Sequence, residues 1–137
     1  MTMTIEELLQ TPYWIVDILP KQVPRNSPGQ YFAVAEYYWQ ETQLAAIKDR
    51  HRDLILKLNC YRDLSLNEDP ALNPPPEQIA EAVRQRCTFI RIGDAMLLSE
   101  PDDTHMTLFN PDDQLLDLVR TIALSEGLFV WQPPRVN

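Results

Sequence analysis

The sequence predicts an α+β fold, a mainly antiparallel sheet of about five strands packed against a long amphipathic helical segment and two or three further helices. Apolar residues recur at spacings of three and four between residues 28 and 59, the period of a helix buried along one side. Two apolar runs flank Gly93-Asp94, a two-residue connection suited to a hairpin. Helices come first, then a strand meander, then a helix and a strand, an order with few parallel crossovers and so no doubly wound nucleotide fold. At 137 residues, the stretch 1–137 reads as a single globular domain.

Thr4, with Glu7 three residues on, forms a capping box that opens a short helix over residues 5 to 10, stopped by Pro12. The aromatic and β-branched run from 13 to 19 is the first strand. Pro20, Pro24 and Pro28 then exclude strand and helix interiors, which makes this stretch an ordered loop. Ser27-Pro28-Gly29-Gln30 joins a hydroxyl N-cap to proline at the first helical position, so a helix starts there. Ala33, Tyr37, Leu44, Ile47, Leu54, Leu58 and Tyr61 continue the helical period, with polar Gln40 and His51 interrupting the stripe. This segment is one rod or two helices jointed near Glu41 and Thr42.

Asn73 before Pro74 is the next N-cap, opening a helix through Gln85 whose buried stripe carries Ile79 and Val83. The period then changes to strands at 88 to 92 and 95 to 99, with a third at 104 to 109 after the turn at Pro101-Asp102-Asp103. Asn110-Pro111-Asp112-Asp113 opens the last helix, Gly127 closes it, and residues 128 to 131 form a final strand.

Twenty acidic residues against twelve basic ones give a net charge of -8 and a pI near 4.6. The basic residues are interleaved with acids, as in Lys48-Asp49-Arg50, so no face is dense enough in cations to bind nucleic acid by releasing its counterions. No apolar run approaches a membrane span, and residues 1 to 10 carry Glu6 and Glu7 but no cation, unlike a secretory leader. A cytoplasmic protein with no membrane partner is expected. Cys60 and Cys87 lack metal-site spacing and read as reduced core residues.

With three glycines in the chain there is no phosphate-cradling loop, so no nucleotide cofactor is expected, nor any other. Serine-elbow, zinc-protease and calcium-loop signatures are also missing. The best cluster of ionisable groups is Asp102, Asp103 and His105, which could place two carboxylates and an imidazole on one hairpin edge, although Pro-Asp-Asp is also ordinary turn chemistry. Asp112 and Asp113 belong to the start of a helix, where negative charge is favoured without a ligand. Asp49, His51 and Asp53 point to different helix faces and hold no common metal, and His51 reads as a hydrogen-bonded boundary residue.

The aromatic residues are more informative. Tyr31, Phe32, Tyr37, Tyr38 and Trp39 crowd the first helix and spread over more than the arc that one core covers. Phe32, Ala35 and Trp39 form one stripe, expected to face inward; Tyr31, Val34 and Tyr38 form its neighbour, left for an interface. The sequence therefore points to a non-catalytic protein-interaction or regulatory domain, forming a homodimer with Tyr38 near its interface or binding another protein. The alternative is a small enzyme or ligand-binding domain with a pocket between the proline-rich loop and Asp102, Asp103 and His105.

Overall fold

The computed structural model describes residues 3–26 and 29–134. It is an α+β structure whose elements run α1 (Ile5–Leu8), β1 (Tyr13–Asp17), α2 (Gln30–Trp39), α3 (Glu41–Asn59), β2 (Ser65–Leu66), α4 (Pro76–Gln85), β3 (Thr88–Ile92), β4 (Ala95–Ser99), β5 (Met106–Phe109), α5 (Asp113–Ser125) and β6 (Phe129–Trp131). The six strands make one antiparallel sheet in the order β2-β3-β4-β5-β1-β6. The extra strand relative to expectation is β2, too short to announce itself as an alternating run.

Local chemistry accounts for the boundaries. Thr4 and Glu7 make the reciprocal capping box, each accepting the other's backbone N–H at 3.1 Å. Gly93 takes φ +59 at the first position of the β3–β4 connection, a conformation that L side chains resist. Asp112 caps α5 by accepting from the Leu115 N–H at 2.7 Å. The long segment is two helices, because Gln40 turns extended (ψ 143) between α2 and α3. Of the predicted cap at the start of α2, Ser27 and Pro28 lie outside the described residues, and Gly29 stands at the N-cap with no side-chain bond.

Asn73 is not a helix cap. α4 begins at Pro76 after Pro75, and Asn73 adopts φ +57 instead. There its amide oxygen accepts from the Leu64 N–H at 3.0 Å and from Asn59 Nδ2 at 2.8 Å, while its own Nδ2 donates to Asp63 at 3.0 Å. These bonds tie the end of α3 to the start of β2, a role that no local pattern reveals.

The main core lies between one sheet face and helices α3, α4 and α5. Val16, Ile90, Leu97, Met106 and Leu108 meet Leu54, Ile55, Leu58, Ile79, Leu115 and Val119 there. The opposite face is covered at the β3–β5 end by α1, where Leu8 packs on Met96 and Phe109. Toward β1 and β6 that second face is overlain by the proline-rich loop instead, and this leaves room for grooves.

Corrections to the expected core follow from this packing. Cys60 and Cys87 are exposed free thiols, not core residues: Cys60 falls at the end of α3, and Cys87 beyond the last turn of α4. His51 is no boundary residue. It is fully buried on the core side of α3, and neither ring nitrogen finds a hydrogen-bond partner among the described residues. Burial holds its imidazole well below the ordinary histidine range, the charges of Lys48 and His105 add to the shift, and the Thr104 backbone opposes it.

An unpartnered imidazole in a core is a desolvation cost that an apolar side chain of similar size avoids. His51→Leu is therefore expected to leave thermal stability within about 1 kcal/mol of the wild type, or above it. The unfolded chain takes up a proton at this position below the ordinary histidine value of 6.5 while the folded chain does not, so the wild type loses stability as pH falls. Urea titrations from pH 7 to 5 should show the variant lacking that component. A loss above about 3 kcal/mol in His51→Leu would mean the ring carries a bond after all.

Candidate functional site

Two features organise the end of the sheet where β1 finishes and β5 begins. The first is Lys48, which the sequence presents as one charge in a solvated cluster. Its position one turn before His51 carries it to the core side of α3, where it is only 4% exposed. A buried ammonium must spend its three donors well. Lys48 Nζ donates to Ser99 Oγ at 3.0 Å, to the Glu100 carbonyl at 2.6 Å and, at the limit, to the Asp103 carbonyl at 3.5 Å. α3 thereby holds the loop that connects β4 to β5.

Glu100, Asp102 and Asp103 project from that same loop, with carboxylate oxygens within 4.8 Å of one another. The hydrogen bond that protonated Glu100 donates to the Asp103 carboxylate raises the Glu100 carboxyl above its usual range, helped by burial and by the charges of Asp103 and Asp102. Burial pushes Lys48 down to about 8, against the opposing pull of Asp103, Asp102 and Glu100. Burial and the same carboxylates raise the Cys87 thiol, which disfavours the reactive thiolate. The cluster thus reads first as the counter-charge of a buried lysine.

The second feature is the pair Asp17 and His105. Tyr13 to Val16 pair in register with Phe109 to Met106, so one step further Asp17 and His105 stand opposite one another on the same sheet face. This is the face that α1 leaves open. Asp17 is half-buried and accepts the Ile18 N–H at 2.7 Å. Burial raises its carboxyl above the ordinary carboxylate value, while the Ile18 N–H, His105 and the Leu19 backbone oppose the shift.

A groove of about 370 Å³ opens beside this pair, between the end of β1 and α2. Its walls include Ile18, Leu19, Val23, Tyr31, Val34 and Tyr38, with Trp39 at the α2 end. A second groove of about 340 Å³ shares Asp17, Tyr31 and His105 and continues beneath the proline-rich loop to Trp131. Trp131 Nε1 donates to the Leu19 carbonyl at 3.1 Å and so pins that loop to β6.

His105 thus lines both grooves, whereas Asp102 and Asp103 line neither. Of the three residues of the expected pocket only His105 borders a groove, and the carboxylate there is Asp17. Asp17 was legible in principle as an acid ending an apolar strand; its pairing with His105 needed the β1–β5 register. Tyr31 and Tyr38 line the groove, and Tyr38 is half-buried there. The expected inward stripe is reversed, since Phe32 is 69% and Trp39 57% exposed. With the fold and the grooves in view, comparison of the chain with protein-family models, curated proteins and solved structures finds no match.

The Lys48 latch has a pH signature. Burial brings the folded Lys48 ammonium down to about 8, while the unfolded chain keeps its proton to the ordinary lysine value of 10.5. The unfolded state binds more protons across that window, so stability rises with pH there, by at most about 3 kcal/mol. Lys48→Met should lack this rise and, at neutral pH, cost about 1 to 3 kcal/mol through the acceptors left behind. Denaturant midpoints at pH 7.5, 9 and 10 for both proteins check it; parallel pH profiles would refute it.

Proposed function

We propose that this chain is a non-catalytic protein-interaction domain that self-associates through α2. The observation that carries the reading is the surface of that helix. α2 buries none of its ten residues, yet it presents Tyr31, Phe32, Val34, Tyr37 and Trp39 as large exposed apolar side chains. A helix this short is marginal by itself in water, where lengths below about 12 to 15 residues gain too little from propensity. Among the described residues no side chain caps the start of α2. Cover from outside supplies the packing that the chain itself withholds.

A second copy is the occupant that fits. Glu36 is the sole charged residue in α2, so two chains of net charge -8 meet there with little repulsion. Phe32 and Trp39 lie seven residues apart, about 10 Å along the axis and in nearly the same direction. Around a two-fold axis, antiparallel copies of α2 bring each Phe32 against the Trp39 of the second copy, the reciprocal contact that such symmetry requires. Their exposure moves the expected interface from Tyr38 to this outer stripe.

The reading extends to partners and place: a protein partner, chiefly a second copy, no nucleic acid, and a cytoplasmic setting. The missing dense basic face supports the second of these. No helix among the described residues is long and apolar enough to cross a membrane.

Sedimentation equilibrium is expected to give a dimer at micromolar concentration. The double variant Phe32→Ala with Trp39→Ala should weaken it by on the order of 2 kcal/mol or more, as for interface anchors, with an unchanged far-ultraviolet spectrum. A wild type that stays monomeric across the micromolar range overturns the reading.

A further inference from the structure

We propose that the groove between the end of β1 and α2 is a binding site for a small organic cation, an ammonium group on an apolar body, anchored by Asp17. This goes beyond self-association, since it uses the Tyr31 and Tyr38 stripe of α2 and the end of β1, with Phe32 outside the groove.

Three independent features agree on the charge of the occupant. Asp17 lies at the groove floor, yet among the described residues it forms no ion pair within 4.0 Å and its one side-chain hydrogen bond comes from the adjacent Ile18 N–H. A carboxylate that has lost water without gaining a cation is a site with electrostatic energy to return. Second, Tyr31 and Tyr38 stand in the walls with Trp39 beside them, and the faces of such rings attract cations. Third, Glu100, Asp102 and Asp103 sit on the loop that leads into His105, so the surrounding field also favours positive charge.

The competing cations belong to the chain itself. Lys21 and Arg25 line the adjoining groove, not this one, and neither is paired with Asp17. His105 stands across the register from Asp17 and bounds the site on the β5 side. An anionic ligand would meet Asp17 and the net charge of -8, and a neutral one would leave the carboxylate desolvated. Ile18, Leu19, Val23 and Val34 provide the surface for an apolar body. The volume of about 370 Å³ lies within the range of small-molecule sites, which bury a ligand largely in apolar walls around a few polar anchors.

The test is isothermal titration calorimetry of the full chain with 2-phenylethylammonium, beside its neutral analogue 2-phenylethanol and the anion 3-phenylpropanoate. Saturable binding of the ammonium compound in the millimolar range or tighter is expected, with weaker or no binding of the other two. Asp17→Asn should weaken the ammonium compound by about tenfold or more, as the loss of a charge-assisted hydrogen bond requires. Tyr31→Ala, at a side chain already 41% exposed and thus safe for folding, should weaken it several-fold. Phe32→Ala, at a residue outside the lining of this groove, should bind as the wild type does while weakening the dimer, which separates this site from self-association. No saturable binding of 2-phenylethylammonium, equal binding of the alcohol, or an Asp17→Asn protein that folds and binds unchanged would each overturn the proposal.

Discussion

The buried ammonium of Lys48 is the constraint on which the end of the sheet depends. A cation taken out of water must be surrounded by acceptors, and the three that receive it all belong to the segment from Ser99 to Asp103. Two are backbone carbonyls, so the bond fixes the path of the chain and not merely one side chain. That path decides where β5 begins, and the start of β5 decides that His105 lies across from Asp17. The carboxylates of Glu100, Asp102 and Asp103 offset part of the burial cost from the solvent side. A turn that resembles a catalytic cluster is in this way largely the other half of a structural ion site.

A second constraint is that helices cover the sheet unequally. α3, α4 and α5 seal one face along its length, while α1 is a single turn and seals only the region around Met96 and Phe109. The rest of the second face, at β1 and β6, is left to a loop whose prolines cannot join the sheet. Loop and sheet do not interdigitate as two regular surfaces would, and the remaining space forms the grooves beside Asp17. α2 closes one of them from the side without packing into the core. Its aromatic residues consequently have different environments: Tyr31 and Tyr38 line the groove, Phe32 looks toward solvent, and Trp39, though 57% exposed, borders the groove at the end of α2.

Much of the fold was legible because it is encoded by local rules. The capping box at Thr4, the hairpin at Gly93 and the cap at Asp112 each act within four residues, and each sits where the sequence places it. The failures share the opposite property. Asn73 looks like a cap beside three prolines, but its bonds go to Asn59, Asp63 and Leu64, residues 9 to 14 positions away. Cys60 and Cys87 have the composition of core residues and stand at helix ends that point outward. His105 was legible as a candidate, whereas Asp17 was missed because only the β1–β5 register brings it opposite His105.

The sequence by itself determined the class of fold, the element order, the antiparallel hairpin and the surplus of aromatic residues in α2, since periodicity and turn chemistry are properties of neighbouring residues. Tertiary structure decided which stripe of α2 faces inward, which lysine is buried, and that a carboxylate from β1 shares a groove with an imidazole 88 positions later. Those outcomes depend on strand register and on which face each helix covers. Register and coverage are set by packing across the whole sheet, where every strand's position is conditional on its neighbours'.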